Sequence, residues 1–222
     1  MSAPIHRLPK AEILKLAKGK CKHSHSYLTH YNCYLEENPE KEEKLGYLDI
    51  ETSNLDADYG QVISWAIKDG QSDDVYYDIF NAADIKSGAE DGRIVKSCIE
   101  TMCKYDKIVT YFGSRFDIPY LRARALINNL DFPVYGTLVH KDLYFLIRAK
   151  FKLSSRRLEN ACKQLLGTSD KTRIESVFWR KALRGDKKSI EYVLDHNIKD
   201  VTDLEKLYHK VIEYGKLNNN SI

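Results

Sequence analysis

From Leu45 to Phe80 the apolar residues come in three short extended runs. LGYLDIET, QVISWAIK and VYYDIF are rich in β-branched and aromatic residues, and turn-forming residues such as Asp69 and Gly70 separate them. This pattern predicts an antiparallel meander. The spacing then changes, with Ile94, Val95, Cys98, Ile99 and Met102 at helical intervals up to about Lys104. KIVTYF reads as a fourth strand, and Pro119 opens a helix carrying Leu121, Ala125 and Leu126. A fifth strand is expected around Leu138 to Asp142, and everything after it reads as helix punctuated by Gly167 and Gly185. Three strands, helix, strand, helix, strand and then helices predict an α/β fold with helices packed on a mixed sheet.

The flanks read differently. Residues 1–44 form a basic appendage: Pro9 marks a helix start, Ile13, Leu14 and Leu16 give it a short apolar face, and a segment dense in Cys and His follows. The charged stretch EENPEKEEK then leads into a main domain expected over residues 45–214. The polar end, residues 215–222 with Asn218, Asn219, Asn220 and Ser221, reads as a frayed tail.

Composition narrows the class. The chain has 222 residues, 43% hydrophobic and 30% charged, enough apolar material for one ordinary core. Apolar runs such as Val62 to Ile67 fall far short of the roughly 18 residues that a membrane span needs, and no secretory signal is evident. A cytosol-like, cytoplasmic compartment is expected. Five cysteines, an odd and sparse set, suit reduced thiols better than a disulfide framework. The net charge of +3 hides an uneven distribution. Residues 148–188 hold thirteen Lys and Arg against four Asp and Glu, whereas residues 36–58 hold nine acids against two lysines. A basic half with an acidic strip is what a polyanion-binding site with cation ligands requires.

The acidic residues supply the candidate chemistry. On a strand, Asp49 and Glu51 project to one face while Leu48 and Ile50 project to the other. A second Asp-x-Glu, Asp203 and Glu205, lies on a helix, so spacing alone decides nothing. Two acids in an otherwise apolar strand are costly to bury without a cation, although an edge strand with a solvated face would also carry them. Asp117 precedes Ile118-Pro119, where an ordinary helix N-cap is equally expected. On the C-terminal helix, Ile190, Val193, Leu194, Val201, Leu204, Tyr208 and Val211 define the core stripe. His196 and Asp200 sit one turn apart on its border.

Together these fragments resemble the DEDD group of 3′ to 5′ exonucleases with a ribonuclease-H-like fold, in the branch near family B polymerase proofreading domains. The matching stretches are Asp49-Ile50-Glu51-Thr52, Phe116-Asp117-Ile118-Pro119-Tyr120-Leu121 and His196-Asn197-Ile198-Lys199-Asp200-Val201. Asp142-Leu143-Tyr144 followed by Phe151-Lys152-Leu153 is also similar to the family. Two departures stand out. His196 replaces a tyrosine usual in the nearest relatives, and Phe112 stands where relatives often carry asparagine before the glycine.

The resemblance implies a five-stranded mixed sheet, three antiparallel strands then two parallel, flanked by helices. It also implies hydrolysis of phosphodiesters at nucleic-acid 3′ ends, single-stranded or in duplex, releasing 5′-mononucleotides with two Mg²⁺ or Mn²⁺ ions. Asp49 would bridge both ions, Glu51 and Asp200 would complete the first position, and Asp117 would hold the second, partly through water. His196, with an ordinary imidazole pKa of about 6.5, would accept the proton of the attacking water. Arg156, Arg157 and the surrounding basic stretch would follow the phosphate backbone, and Asn54 and Leu55 would touch the terminal nucleotide. A non-catalytic nucleic-acid-binding module and an endonuclease for RNA/DNA hybrids remain the competing readings. No GxGxxG, P-loop, HExxH, GxSxG or CxxC pattern points elsewhere.

Separately, Cys21, His25, His30 and Cys33 could form a tetrahedral structural zinc site, with His23 as the alternative to His25. Cys98, Cys103 and Cys162 read as core, and Asp142 as structural.

Overall fold

The computed structural model describes residues 10–38, 42–81, 83–84, 90–167, 176–182, 184–215 and 220–221. The chain divides into two compact units, Met1–Glu43 and Lys44–Ile222. The first contains α1 (Lys10–Lys18) and α2 (Tyr31–Glu37). Pro9 and residues 218–219 lie outside the described residues. Leu16 is buried, but Leu14, expected on the same apolar face, is 51% exposed because it lies on the opposite side of α1.

In the second unit, β1 (Leu45–Thr52), β2 (Val62–Asp69) and β3 (Val75–Ile79) form the expected antiparallel meander. Then follow α3 (Gly92–Met102), β4 (Lys107–Thr110), α4 (Asp117–Ile127) and β5 (Val139–Asp142). Strand β4 pairs in parallel with β1 and with β5, which gives the mixed five-stranded sheet. The sheet runs β3-β2-β1-β4-β5-β6, because Asn220–Ser221 forms β6 antiparallel to β5. This corrects the expectation of a frayed end at those two residues: β5 is otherwise an open edge, whose free N–H and C=O groups the returning chain can pair. Among the described residues four further α-helices follow β5, α5 (Leu143–Lys150), α6 (Leu158–Leu165), α7 (Ser176–Ala182) and α8 (Lys187–Val211), the last running into a short 3-10 turn (Ile212–Tyr214).

The alternation in β1 sorts its side chains into two cores. Leu48 and Ile50 join Ile67, Ile94, Cys98 and Leu121 on the face covered by α3 and α4. Tyr47 joins Val109, Ile147, Cys162 and Leu204 on the face covered by α5, α6 and α8. Asp49 and Glu51 share the side of Tyr47, so the acids stand beneath the C-terminal helices. Cys98 and Cys162 are core, but Cys103 is exposed, because it stands at the C-cap of α3 where the stripe has turned away.

A buried charge cluster fixes α3 and α4 to the sheet. Asp91, at the N-cap of α3, accepts from Arg124 Nε (3.0 Å) and Nη2 (2.7 Å), from Asn128 Nδ2 (2.9 Å) and from the Val62 N–H (2.7 Å). Arg124 also donates to Glu90 and, over 3.0 Å, to the Ala57 carbonyl. Every oxygen of this buried carboxylate is thus engaged, which is the condition under which a buried ion pair is tolerated.

Candidate active site

Strand β1 presents Asp49 and Glu51 at the end where it outruns β4, so a cleft opens there instead of a packed layer. Helix α8 crosses beneath and brings His196 and Asp200 to the same place, one turn apart and both buried. His196 Nε2 stands 3.9 Å from Glu51 Oε1 and 3.8 Å from Asp200 Oδ2. The donor atoms of Glu51, His196 and Asp200 all lie within 4.8 Å of one another. Asp49 lines the same cleft of about 570 Å³, together with Tyr111, Phe112, Tyr144, Arg157 and Trp179. Two donors sharing a small divalent cation at 2.0–2.1 Å stand about 3 to 4 Å apart, so the Glu51 and Asp200 carboxylates, within 4.8 Å of one another, need only small side-chain shifts to share such an ion, with the His196 imidazole beside it.

The acids are held from behind. Asn197, fully buried beside His196, donates from Nδ2 to Asp49 Oδ2 over 2.7 Å. Its own Oδ1 accepts from Ser64 Oγ at 3.2 Å, which fixes the amide orientation. Trp179 on α7 donates from Nε1 to Glu51 Oε2 over 3.1 Å.

Asp117 opens α4 and is buried. Its Oδ1 accepts from the Ile50 N–H over 3.1 Å, a backbone donor lying between Asp49 and Glu51. Burial pushes its pKa up to about 7, Asp142 and Asp200 add to the rise, and backbone hydrogen bonds oppose it. It is not among the residues lining the cleft. Asp142 binds backbone instead. One of its oxygens accepts from the Phe112 and Tyr144 N–H groups (2.8 and 3.0 Å), the other from the Ser114 N–H (2.9 Å). The Phe112 and Ser114 bonds pin the loop after β4, and the Tyr144 bond caps α5. In that loop Gly113 packs against Thr110, where a Cβ would meet the Thr110 hydroxyl at 2.3 Å. Phe112 holds a left-handed φ of 70°, a region favouring glycine and asparagine, and its ring packs edge-on to Tyr144 at 4.8 Å.

A profile of the RNase_H superfamily matches residues 46–212, which take in strands β1 to β5 and the helices α3 to α8. The chain belongs to the RNase_H superfamily. A DNA polymerase from Methanocaldococcus jannaschii is 31% identical to it over 74% of this chain. The matched part is 10% of that polymerase. The family B DNA polymerase from the hyperthermophilic archaeon Pyrobaculum calidifontis shares the fold with a TM-score of 0.63 at 18% identity, covering 77% of this chain and 25% of that one. The RNase_H assignment makes this a nuclease-type domain, and its carboxylate cluster is compatible with divalent cations.

The remaining expected residues divide. Arg157 lines the cleft, whereas Arg156 enters through its backbone carbonyl, which accepts from the Tyr111 hydroxyl at 2.7 Å. Asn54 and Leu55 line a separate hollow with Thr52, Ser53, Trp179 and Arg180, so they neighbour the cleft without lining it. In the N-terminal unit the group within ligand reach is Cys21, His23, His30 and Cys33. His25 stands outside that group because its ring lies against that of His30, with centroids 4.0 Å apart. Sequence reasoning missed Asn197, Trp179 and Tyr144. Asn197 carried a signal as a polar residue next to His196 on a half-apolar helix, and Tyr144 as part of the family-like stretch Asp142-Leu143-Tyr144, whereas Trp179 carried none. Among the described residues no helix is long and apolar enough to cross a membrane.

Proposed function

We propose that this chain is a divalent-cation-dependent 3′ to 5′ exonuclease that removes 5′-mononucleotides from DNA 3′ ends. The observation that carries this reading is the convergence of Asp49, Glu51, His196 and Asp200 on one cleft. The likeness to archaeal DNA polymerases favours DNA. A cleft of this size suits a ligand of nucleotide dimensions better than a duplex. Asp49, Glu51 and Asp200 would hold Mg²⁺ or Mn²⁺, and Asp117 would reach a second position through water. Two such ions supply a nucleophilic water near neutral pH and charge neutralisation at the leaving oxygen.

The protein's own groups do the rest. His196 Nε2 takes the proton of the attacking water, while Asn197 and Trp179 keep Asp49 and Glu51 in their orientations. Arg157 at the cleft receives a phosphate. Phe112 and Tyr144 offer faces on which the terminal base can stack.

The test is digestion of a 5′-labelled oligonucleotide with Mg²⁺ or Mn²⁺. Stepwise shortening with release of 5′-mononucleotides is expected, with kcat reduced about 1000-fold or more in Asp49→Asn and Asp200→Asn. For His196→Gln a loss of about 100-fold or more is expected with cation affinity retained. Cleavage of a circular single strand would instead identify an endonuclease, and binding without turnover would identify a non-catalytic module.

A further inference from the structure

Among its described residues the N-terminal unit has little apolar material to hold it together. Its core consists of Leu16 and Tyr34, with Tyr27, Leu28, Tyr31 and Leu35 packed against them. A unit of about 40 residues seldom folds on apolar burial of that extent without a metal, a disulfide or a partner. Its cysteines, Cys21 and Cys33, are free thiols, and Cys21 is buried.

Two short elements bring four soft or borderline donors together. Cys21 and His23 stand in a tight turn closed by the Ser24 N–H donating to the Cys21 carbonyl (2.8 Å) and the Cys21 N–H donating to the His25 carbonyl (2.9 Å). Ser24 supplies the left-handed φ of 64° that lets the chain reverse. His30 occupies the N-cap of α2, and Cys33 lies in its first turn. Cys21 Sγ is 3.9 Å from His23 Nδ1 and 3.8 Å from His30 Nδ1, while Cys33 Sγ is 3.6 Å from His23 Nδ1. All four donor atoms lie within 4.8 Å of one another. Tetrahedral zinc, with bonds of about 2.3 Å to sulfur and 2.0–2.1 Å to nitrogen, requires sulfur to nitrogen edges of about 3.6 Å. The observed edges meet that requirement to within about 0.3 Å.

We infer that Cys21, His23, His30 and Cys33 form a closed tetrahedral zinc site that clamps the turn to the start of α2. Two thiolates balance the charge of Zn²⁺, and both histidines present the same ring nitrogen. Sulfur and imidazole donors select zinc over the oxygen-seeking Mg²⁺ and Mn²⁺. Four protein ligands leave no position for substrate, so the site is structural and its binding energy contributes to folding. His25 acts from outside, its ring against that of His30. The inference is independent of the nuclease reading.

The full chain, purified without chelator, should contain about one zinc per molecule by elemental analysis. Cys33→Ser and His23→Asn should each lower that content at least tenfold, and His25→Asn should leave it unchanged. Zinc held by the carboxylate cleft is told apart by Co²⁺ substitution of the wild-type chain, which needs no variant to fold. No cysteine lines that cleft among the described residues, so a thiolate-to-cobalt charge-transfer band reports the N-terminal site alone. Absence of stoichiometric zinc, a cobalt spectrum without that band, or a Cys21 to Cys33 disulfide in the purified chain would overturn the inference. So would loss of zinc from His25→Asn together with its retention in His23→Asn.

Discussion

Asp117 is a residue whose surroundings oppose its charge. It is buried at the start of a helix, its Oδ1 is held by the Ile50 N–H, and Asp142 and Asp200 stand near enough to disfavour ionisation. The folded protein keeps its proton up to about pH 7, whereas the unfolded chain releases it near 3.8. Unfolding between these values therefore releases a proton, and Asp117 makes stability fall as pH rises from about 4 to 7. Asp117→Asn keeps the acceptor for Ile50 and removes the titration. In chelator, its denaturation midpoint relative to wild type should be higher at pH 8 than at pH 4. An equal offset at both values would show that Asp117 is not protonated in the fold. The same repulsion explains why a divalent cation suits the neighbourhood: it compensates carboxylates that the fold crowds together.

At the scale of elements, the site depends on β1 and α8 being held in place. The Asp91 and Arg124 cluster ties the start of β2, α3 and α4 to one another, and α4 in turn delivers Asp117. Removing one partner leaves a buried charge uncompensated. Asp91→Ala should therefore lower stability by about 3–5 kcal/mol in urea titration, with an unchanged denaturant slope. A loss below about 1 kcal/mol would mean that the cluster is dispensable. The loop after β4 is pinned by two bonds to Asp142, from the Phe112 and Ser114 N–H groups, which lets Phe112 keep a backbone conformation its side chain does not favour. The strain is local, and its effect is to hold an aromatic ring, 42% exposed, at the cleft.

At the scale of the whole molecule, charge is separated along the chain into an acidic strip containing β1 and a basic stretch through residues 148–188. For single strands, the logarithm of affinity falls with the logarithm of salt by about 0.7 for each phosphate neutralised. Oligonucleotide binding should therefore weaken steeply with salt, and Arg157→Ala should reduce the slope by about 0.7 while leaving the fold intact. Fluorescence anisotropy across a salt series measures this, and an unchanged slope would remove Arg157 from the interface.

Much of this protein was legible before folding, because the backbone fixes side-chain period. Alternation in LGYLDIET placed Asp49 and Glu51 on one face, and the four-residue spacing of His196 and Asp200 placed them on one side of a helix. The succession of strands and helices along the chain followed from the same periods, whereas their arrangement in the sheet came from the family resemblance. What sequence could not supply was which surfaces meet. Trp179 reaches Glu51 from 128 positions away, and Asn197 reaches Asp49 from 148. Local spacing carries no information about such contacts. Cys103 and Leu14 were grouped with apolar stripes yet face solvent, Cys103 because it stands at a helix C-cap and Leu14 because it lies opposite the buried Leu16. His23 and His25 were equivalent as letters, and only the turn around Ser24 decided which one faces the cysteines. Local pattern thus determined element type and the chemistry on each face. Tertiary packing decided the partners of those faces, since burial and hydrogen bonding between distant segments depend on the assembled layers.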